Sequence, residues 1–304
     1  ETEPVLLVLD DFEQNLTTGG EAFRDPDLAT YLGLLAQHAR RGRVLITSRY
    51  PMPGDGVPFH RVGLPPLSTS EVRKLLLRLR SFEKQPPEAL VSVLRTIGGH
   101  PRMLEFVDAI LAGHEGRLAH VTERLQRLMS ESGVDPEVTT TSLSDAVHQA
   151  ILLGARDVFL EELIQIAKDS KCDDVLIQAS VSNIPVSAAG IAHMLNGAPA
   201  DAEQVTQIAR TTEQLERLSL LTKVGEAWWV HRWTAEGVSR CVDAESWRHR
   251  CTRAGEYRAW RVQHESHAVE DGLEAMRNFV SACRWDEAAA VATSLISALE
   301  QFQQ

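Results

Sequence analysis

Two carboxylates, Asp10 and Asp11, stand directly after the apolar run Val5-Leu6-Leu7-Val8-Leu9. Such a run reads as a strand buried on both faces, as in a parallel sheet. Both acids then sit at the C-terminal edge of that sheet, where open α/β folds bind ligands. There one carboxylate can hold Mg2+, directly or through water, while the other orients an attacking water. The alternative is a turn whose aspartates cap the next helix. About 35 residues on, Val44-Leu45-Ile46 runs into Thr47-Ser48-Arg49. An arginine at the same edge can reach a terminal phosphate with its forked, permanently charged guanidinium. Taken alone, it is a solvated loop arginine. The two strand ends together are more specific than either.

Other candidates carry less. His264-x-x-His267 has metal-ligand spacing on a helix but no evident third ligand, so an exposed helical face explains it better. Asn15-Leu16-Thr17 matches a glycosylation acceptor, and coincidence is its better reading in a chain of cytosolic character. His231 follows Trp228-Trp229-Val230 and taken alone is a packed hairpin residue. Trp228, Trp229, Trp233, Trp247 and Trp260 are expected to pack the preceding domain against the C-terminal helices.

The elements that must position these residues follow from periodicity. A helix over 28–40, with Leu28, Tyr31, Leu35 and His38 near one side, joins the two strands, and Phe59-His60-Arg61-Val62 reads as a third, short strand. That order is a βαβ pattern. Past Pro65-Pro66 the chain turns helical. Ser68 with Glu71 forms a capping box ahead of the stripe Val72, Leu75, Leu76 and Leu79. A second helix covers about 87–96. Pro101 opens a third with Leu104, Val107 and Leu111, and Leu118, Val121, Leu125 and Leu128 mark a fourth. Residues 131–141 read as a linker. From about 157 to 240 the order is three helices and then a hairpin turning at Gly225, which is that of a winged helix. Everything after about 244 reads as helix.

Composition bounds the function. At roughly 100–200 residues per domain, 304 residues make two or three units. A net charge of −11 is a poor field for wrapping nucleic acid. Residues 156–240 carry eight Lys/Arg against twelve Asp/Glu, so a DNA-reading wing is not expected. Cys172, Cys241, Cys251 and Cys283 are scattered without a Cys-x-x-Cys pair, which fits a reducing cytoplasm. No apolar run approaches the roughly 20 residues of a membrane span, and no leader peptide opens the chain.

Together, the motifs resemble those of the STAND class of P-loop ATPases, the NB-ARC-like signalling switches. Leu6-Leu7-Val8-Leu9-Asp10-Asp11 resembles their Walker B motif. The resemblance implies that Asp10 serves Mg2+ and that Asp11 supports hydrolysis. Val44-Leu45-Ile46-Thr47-Ser48-Arg49 resembles the first sensor strand, with Arg49 against the γ-phosphate. Gly98-Gly99-His100-Pro101 resembles the Gly-x-Pro motif, which would put Pro101 against adenine. Glycines ending one helix and a proline opening the next explain the same tetrapeptide on local grounds. Trp229-Val230-His231-Arg232-Trp233 resembles the Met-His-Asp region, where the histidine contacts the β-phosphate of ADP. Only His231 carries over fully; Arg232 stands where the family has an aspartate.

The resemblance implies a multidomain, mostly α chain with an N-terminal α/β part. Its expected parts are a partial P-loop sheet over 1–66, a small helical domain over 67–135, a winged helix over 142–243 and a repeat-like helical region over 244–304. It further implies ATP/ADP and Mg2+ as cofactors, homo-oligomerisation on activation, a trigger sensed by the C-terminal helices and an effector domain elsewhere. Immune defence and transcriptional control both fit. A non-enzymatic helical scaffold is the competing reading, and a regulator whose DNA-binding domain lies outside this chain is another. The Walker A loop G-x-x-x-x-G-K-[ST] does not occur: Gly19-Gly20 is followed by Glu21, with no lysine. The expectation is an upstream segment in the native protein, because a sheet without its central loop strand would expose amides and apolar side chains.

Overall fold

The computed structural model describes residues 5–17, 20–38, 42–48, 50–53, 59–65, 67–84, 97, 100–112, 116–131, 145–266 and 268–302. The chain divides into two compact units, Glu1–Pro65 and Pro66–Gln304.

In the first unit, β1 (Leu6–Leu9) and β2 (Arg43–Ile46) pair in parallel, with Leu7 opposite Val44 and Leu9 opposite Ile46. Parallel strands need a crossover, and α1 (Asp27–His38) supplies it. Leu9 and Ile46 turn toward a small core of Phe12, Leu16 and Leu32, joined by Leu35 and Phe59. The α1 stripe is rotated from the sequence expectation: Leu32 is fully buried, whereas Tyr31 is 56% exposed. Leu28, Leu32 and Leu35 have the i, i+4, i+7 spacing that keeps one face on the sheet.

Two further expectations are corrected. The strands are not buried on both faces, since Leu6, Val8 and Leu45 are 62%, 49% and 52% exposed. Side chains alternate along a strand, and among the described residues no layer covers the second face. Residues 59–62 form no strand. Phe59 instead reaches the small core, Val62 is 72% exposed and Arg61 donates to the Met52 carbonyl at 2.7 Å. A segment with only one buried apolar anchor gains little from extending a ladder.

The second unit opens with α2 (Thr69–Leu76), started by the expected capping box between Ser68 and Glu71. Helices α3 (Pro101–Leu111), α4 (Gly116–Glu131) and α5 (Asp145–Asp169) follow. Leu104, Val107, Val121, Leu125, Phe159 and Leu163 are buried together in one core. The helix expected over 87–96 and nearly all of the 131–141 linker lie outside the described residues.

Four helices, not three, precede the hairpin. After α5 come α6 (Asp173–Ser180), strand β3 (Val186–Ser187), α7 (Ala188–Asn196) and α8 (Ala202–Arg217). The hairpin is β4 (Thr222–Val224) and β5 (Ala227–Trp229), turning at Gly225 with φ 60°. Strand β3 adds to the other edge of β5, giving the antiparallel order β3-β5-β4 with Val186 opposite Trp228. A strand of two residues has no periodicity to read, so sequence analysis passes over it. Helix α9 (Arg232–Arg240) leads into the tail α10 (Ala244–His264), α11 (Val269–Ser281) and α12 (Trp285–Phe302). The tail helices approach closely where glycine leaves room. A Cβ on Gly255 would stand 2.8 Å from the Phe279 ring, and one on Gly272 would stand 2.5 Å from Leu295.

The tail grips the α6–β3 loop by its backbone. Arg258 donates to the carbonyls of Ile184 and Pro185, Arg277 donates to that of Val181, and Glu274 accepts from the Asn183 amide at 2.7 Å. Trp229 of β5 donates from Nε1 to the Asn183 carbonyl at 3.2 Å. No described helix is long and apolar enough to cross a membrane.

Candidate functional site

At the end of β1 the chain turns sharply. Asp11 takes left-handed angles, φ 50° and ψ 43°, a region that short polar side chains tolerate better than most. Thr47, the first residue past β2, holds this turn. Its hydroxyl accepts from the Asp11 amide at 3.0 Å and donates to Asp10 Oδ1. Its amide donates to the Leu9 carbonyl at 3.0 Å, and its carbonyl accepts from the Phe12 amide at 2.9 Å. Asp11 occupies the cap position of the 3-10 turn Phe12–Asn15, yet its side chain makes no capping bond. The carboxylates therefore do not do the capping work that the local alternative assigns them.

Asp10 is exposed and Asp11 half-buried, side by side at one sheet edge. A carboxylate and a hydroxyl are hard oxygen donors, suited to Mg2+ held mostly by phosphate and water. Among the described residues no group of three or more His, Cys, Asp or Glu forms a metal cage. Arg49 lies outside the described residues. In the sequence Thr47 stands out only as part of a strand end. The signal for more was its place, a hydroxyl directly after a strand that neighbours the acidic one.

The second set of predicted residues lies in the second unit. Pro101 is the first residue of α3 and is exposed, with His100 at the cap position. Proline suits that place because its missing N–H would find no partner within the helix. His231 is not a hairpin residue: it lies beyond β5 and caps α9, its Nδ1 accepting from the Trp233 amide at 3.2 Å. Arg232, where the resemblance looks for an acid, pairs with Glu236 of its own helix at 2.8 Å.

Trp233 brings the two histidines together. Its ring centroid stands 5.5 Å from that of His100 and 5.6 Å from that of His231. The Arg156 guanidinium of α5 lies 5.4 Å from the same ring. Asp157 then pairs both with Arg156, at 2.8 Å, and with Arg240 at the far end of α9, at 3.1 Å. Burial raises the Asp157 carboxyl, but the bonds from Arg240 and Arg156 outweigh it and hold it below its ordinary range. Burial pushes His100 down, toward the neutral ring.

Trp233 thus faces α3 and α5, which corrects its expected place against the tail. Among the others, Trp260 of α10 rests on His193 of α7, ring centroids 4.7 Å apart. His264 is exposed and stacked on Trp260, and His267 lies outside the described residues. Neither Trp233 nor Arg156 announces its role in sequence, because their partners come from distant elements.

This is a mostly helical architecture with a small parallel sheet and a small antiparallel sheet. Among solved structures it is similar to a crystal structure from Pyrococcus horikoshii, a Signal Transduction ATPase with Numerous Domains (STAND) protein with a tetratricopeptide repeat sensor. The TM-score is 0.52 at 18% sequence identity, covering 91% of this chain and 33% of that one. The likeness is one of fold, and the chain spans about a third of that protein's length. No family model matches the chain, and no curated protein sequence matches it.

Proposed function

We propose that this chain is part of a nucleotide-dependent signalling switch of the STAND kind. ADP holds a closed state, and exchange for ATP permits oligomerisation. The observation that carries the reading is the convergence of His100, the residue before Pro101, and His231 on Trp233. Two short motifs far apart in sequence, each opening a helix, meet in one cluster. The paired carboxylates at the end of β1 and the fold likeness to a STAND protein support the same reading.

In this reading Asp10 would hold Mg2+ and Asp11 would orient water. Arg49 would meet the γ-phosphate, Pro101 would pack on adenine and His231 would donate to the β-phosphate. Mg2+, when bound, supplies charge neutralisation for the phosphates. Thr47 keeps Asp10 and Asp11 in place by occupying one carboxylate oxygen and one amide. The winged helix read over 142–243, with β3 to β5 as its small sheet, would pack within the switch, and α10–α12 would start the repeat array that senses the trigger. A nucleotide can shift such an equilibrium only through different affinity for the two states, and His231 would supply that difference for ADP.

The test is the nucleotide content of the intact protein, purified without added nucleotide, beside a His231→Ala variant. Bound ADP that weakens in the variant supports the switch. Folded protein that neither carries nor takes up nucleotide overturns it and leaves a helical scaffold.

A further inference from the structure

We propose that Trp233 is the positioning residue of this site, joining the His100 end of α3 to the His231 end of α9 so that the two ends keep one spacing. The proposal rests on reading Pro101 and His231 as nucleotide contacts, and it names what holds them in register.

Three side chains from separate places meet the Trp233 ring. His100 lies tilted against it by 33°, His231 meets it edge-on at 77° and Arg156 presents its guanidinium. Aromatic pairs and cations at such distances are attractive beyond simple burial. The His100 ring has little else to fix it. Its side chain makes no capping bond, and its buried Nδ1 has no hydrogen-bond partner among the described residues. Contact with Trp233 is therefore what sets the His100 ring, beside a helix start that Met103 and Leu104 in the core and Arg102 on the Ser219 carbonyl also hold.

On the other side, the Trp233 amide binds His231 Nδ1. A neutral imidazole accepting at Nδ1 carries its proton on Nε2, the donor form that suits an anionic oxygen. Trp233 thus touches both histidines, one through its ring alone and one through ring and backbone. Helix α9 is held at its other end as well, by Arg240 on Asp157. A rigid α9 pinned at both ends gives the Trp233 contact leverage over where His231 sits. Loss of one aromatic contact is expected to weaken ADP binding by up to about tenfold.

The test uses two readouts. In the 304-residue chain, histidine ring resonances are recorded for wild type, His100→Ala, Trp233→Phe and Trp233→Leu. Removing the His100 ring should shift the His231 signals when residue 233 is Trp or Phe, and leave them unmoved when it is Leu. In the intact protein, Trp233→Leu should weaken ADP binding and Trp233→Phe should largely restore it. An unchanged His231 signal in His100→Ala overturns the coupling, and that variant carries the test if Trp233→Leu does not fold. Equal ADP affinity across the Trp233 variants overturns the positioning role while the switch reading stands. Wild type that binds no nucleotide overturns the switch reading instead, and the His231 signals still decide the coupling.

Discussion

Arg258 of α10 and Asp271 of α11 meet at 2.7 Å with side chains 1% and 5% exposed. The pair holds two tail helices together, and Arg258 also reaches the carbonyls of Ile184 and Pro185. Removing one partner strands a buried charge, which typically costs about 3–5 kcal/mol. Asp271→Ala is therefore expected to lower the urea midpoint strongly. Replacing both residues by apolar side chains removes the stranded charge but leaves the Ile184 and Pro185 carbonyls and the Ser266 hydroxyl without these partners, so it should cost less than the single change without restoring wild-type stability. A small effect of the single substitution would show that water enters the site.

The Thr47 side chain is expected to matter through its hydroxyl. Thr47→Val keeps shape and strand preference but removes the donor to Asp10 and the acceptor for the Asp11 amide. A loss of about 1 kcal/mol is expected for such bonds, with Thr47→Ser close to wild type in denaturant titrations. Equal stability of the Val and Ser variants would count against the tie.

The exposed apolar row of the first sheet should bind apolar dye. Leu6, Val8 and Leu45 form an exposed row across two paired strands, the kind of surface that invites association. Replacing all three by Thr keeps β preference and should reduce both dye fluorescence and aggregation. The small core of Phe12, Leu16 and Leu32 lies on the other side and should keep its stability.

Acid should weaken the second unit before it unfolds. Burial depresses His100 and His193 below the ordinary value of 6.5, with Arg253 adding to the effect at His193 and Glu265 opposing it. The unfolded chain then binds more protons below that pH, so stability rises with pH there. The contribution is complete above about pH 6.5 and is lost as pH falls toward and through the depressed values. Urea midpoints between pH 7.5 and 5.5 should fall, and His193→Gln should flatten the slope. A flat profile in wild type would mean that these rings stay solvated.

The boundaries between legible and hidden features are physical. The capping box at Ser68 and Glu71, the α3 stripe of Leu104, Val107 and Leu111, and the hairpin at Gly225 were readable because their interactions lie within a few residues. The helical tail from residue 244 was readable for the same reason. Strand β3 was not, since two residues carry no period and its partner Trp228 is some 40 positions away. The exposure of Leu6 and Val8 is not legible in sequence, because an apolar run states a preference for cover without stating that cover is present.

The sequence by itself determined where β1, β2, the hairpin and most of the helices lie, and which residue types stand at the ends of β1 and β2 and at the starts of α3 and α9. Periodicity, caps and turn residues act locally, so they survive being read one window at a time. Only tertiary structure decided that Thr47 ties Asp10 to Asp11, that Trp233 joins His100 to His231, and that α10 and α11 grip the loop before β3. Except for Trp233 with His231, those contacts link residues tens of positions apart, and their partners are chosen by packing, which no local pattern encodes.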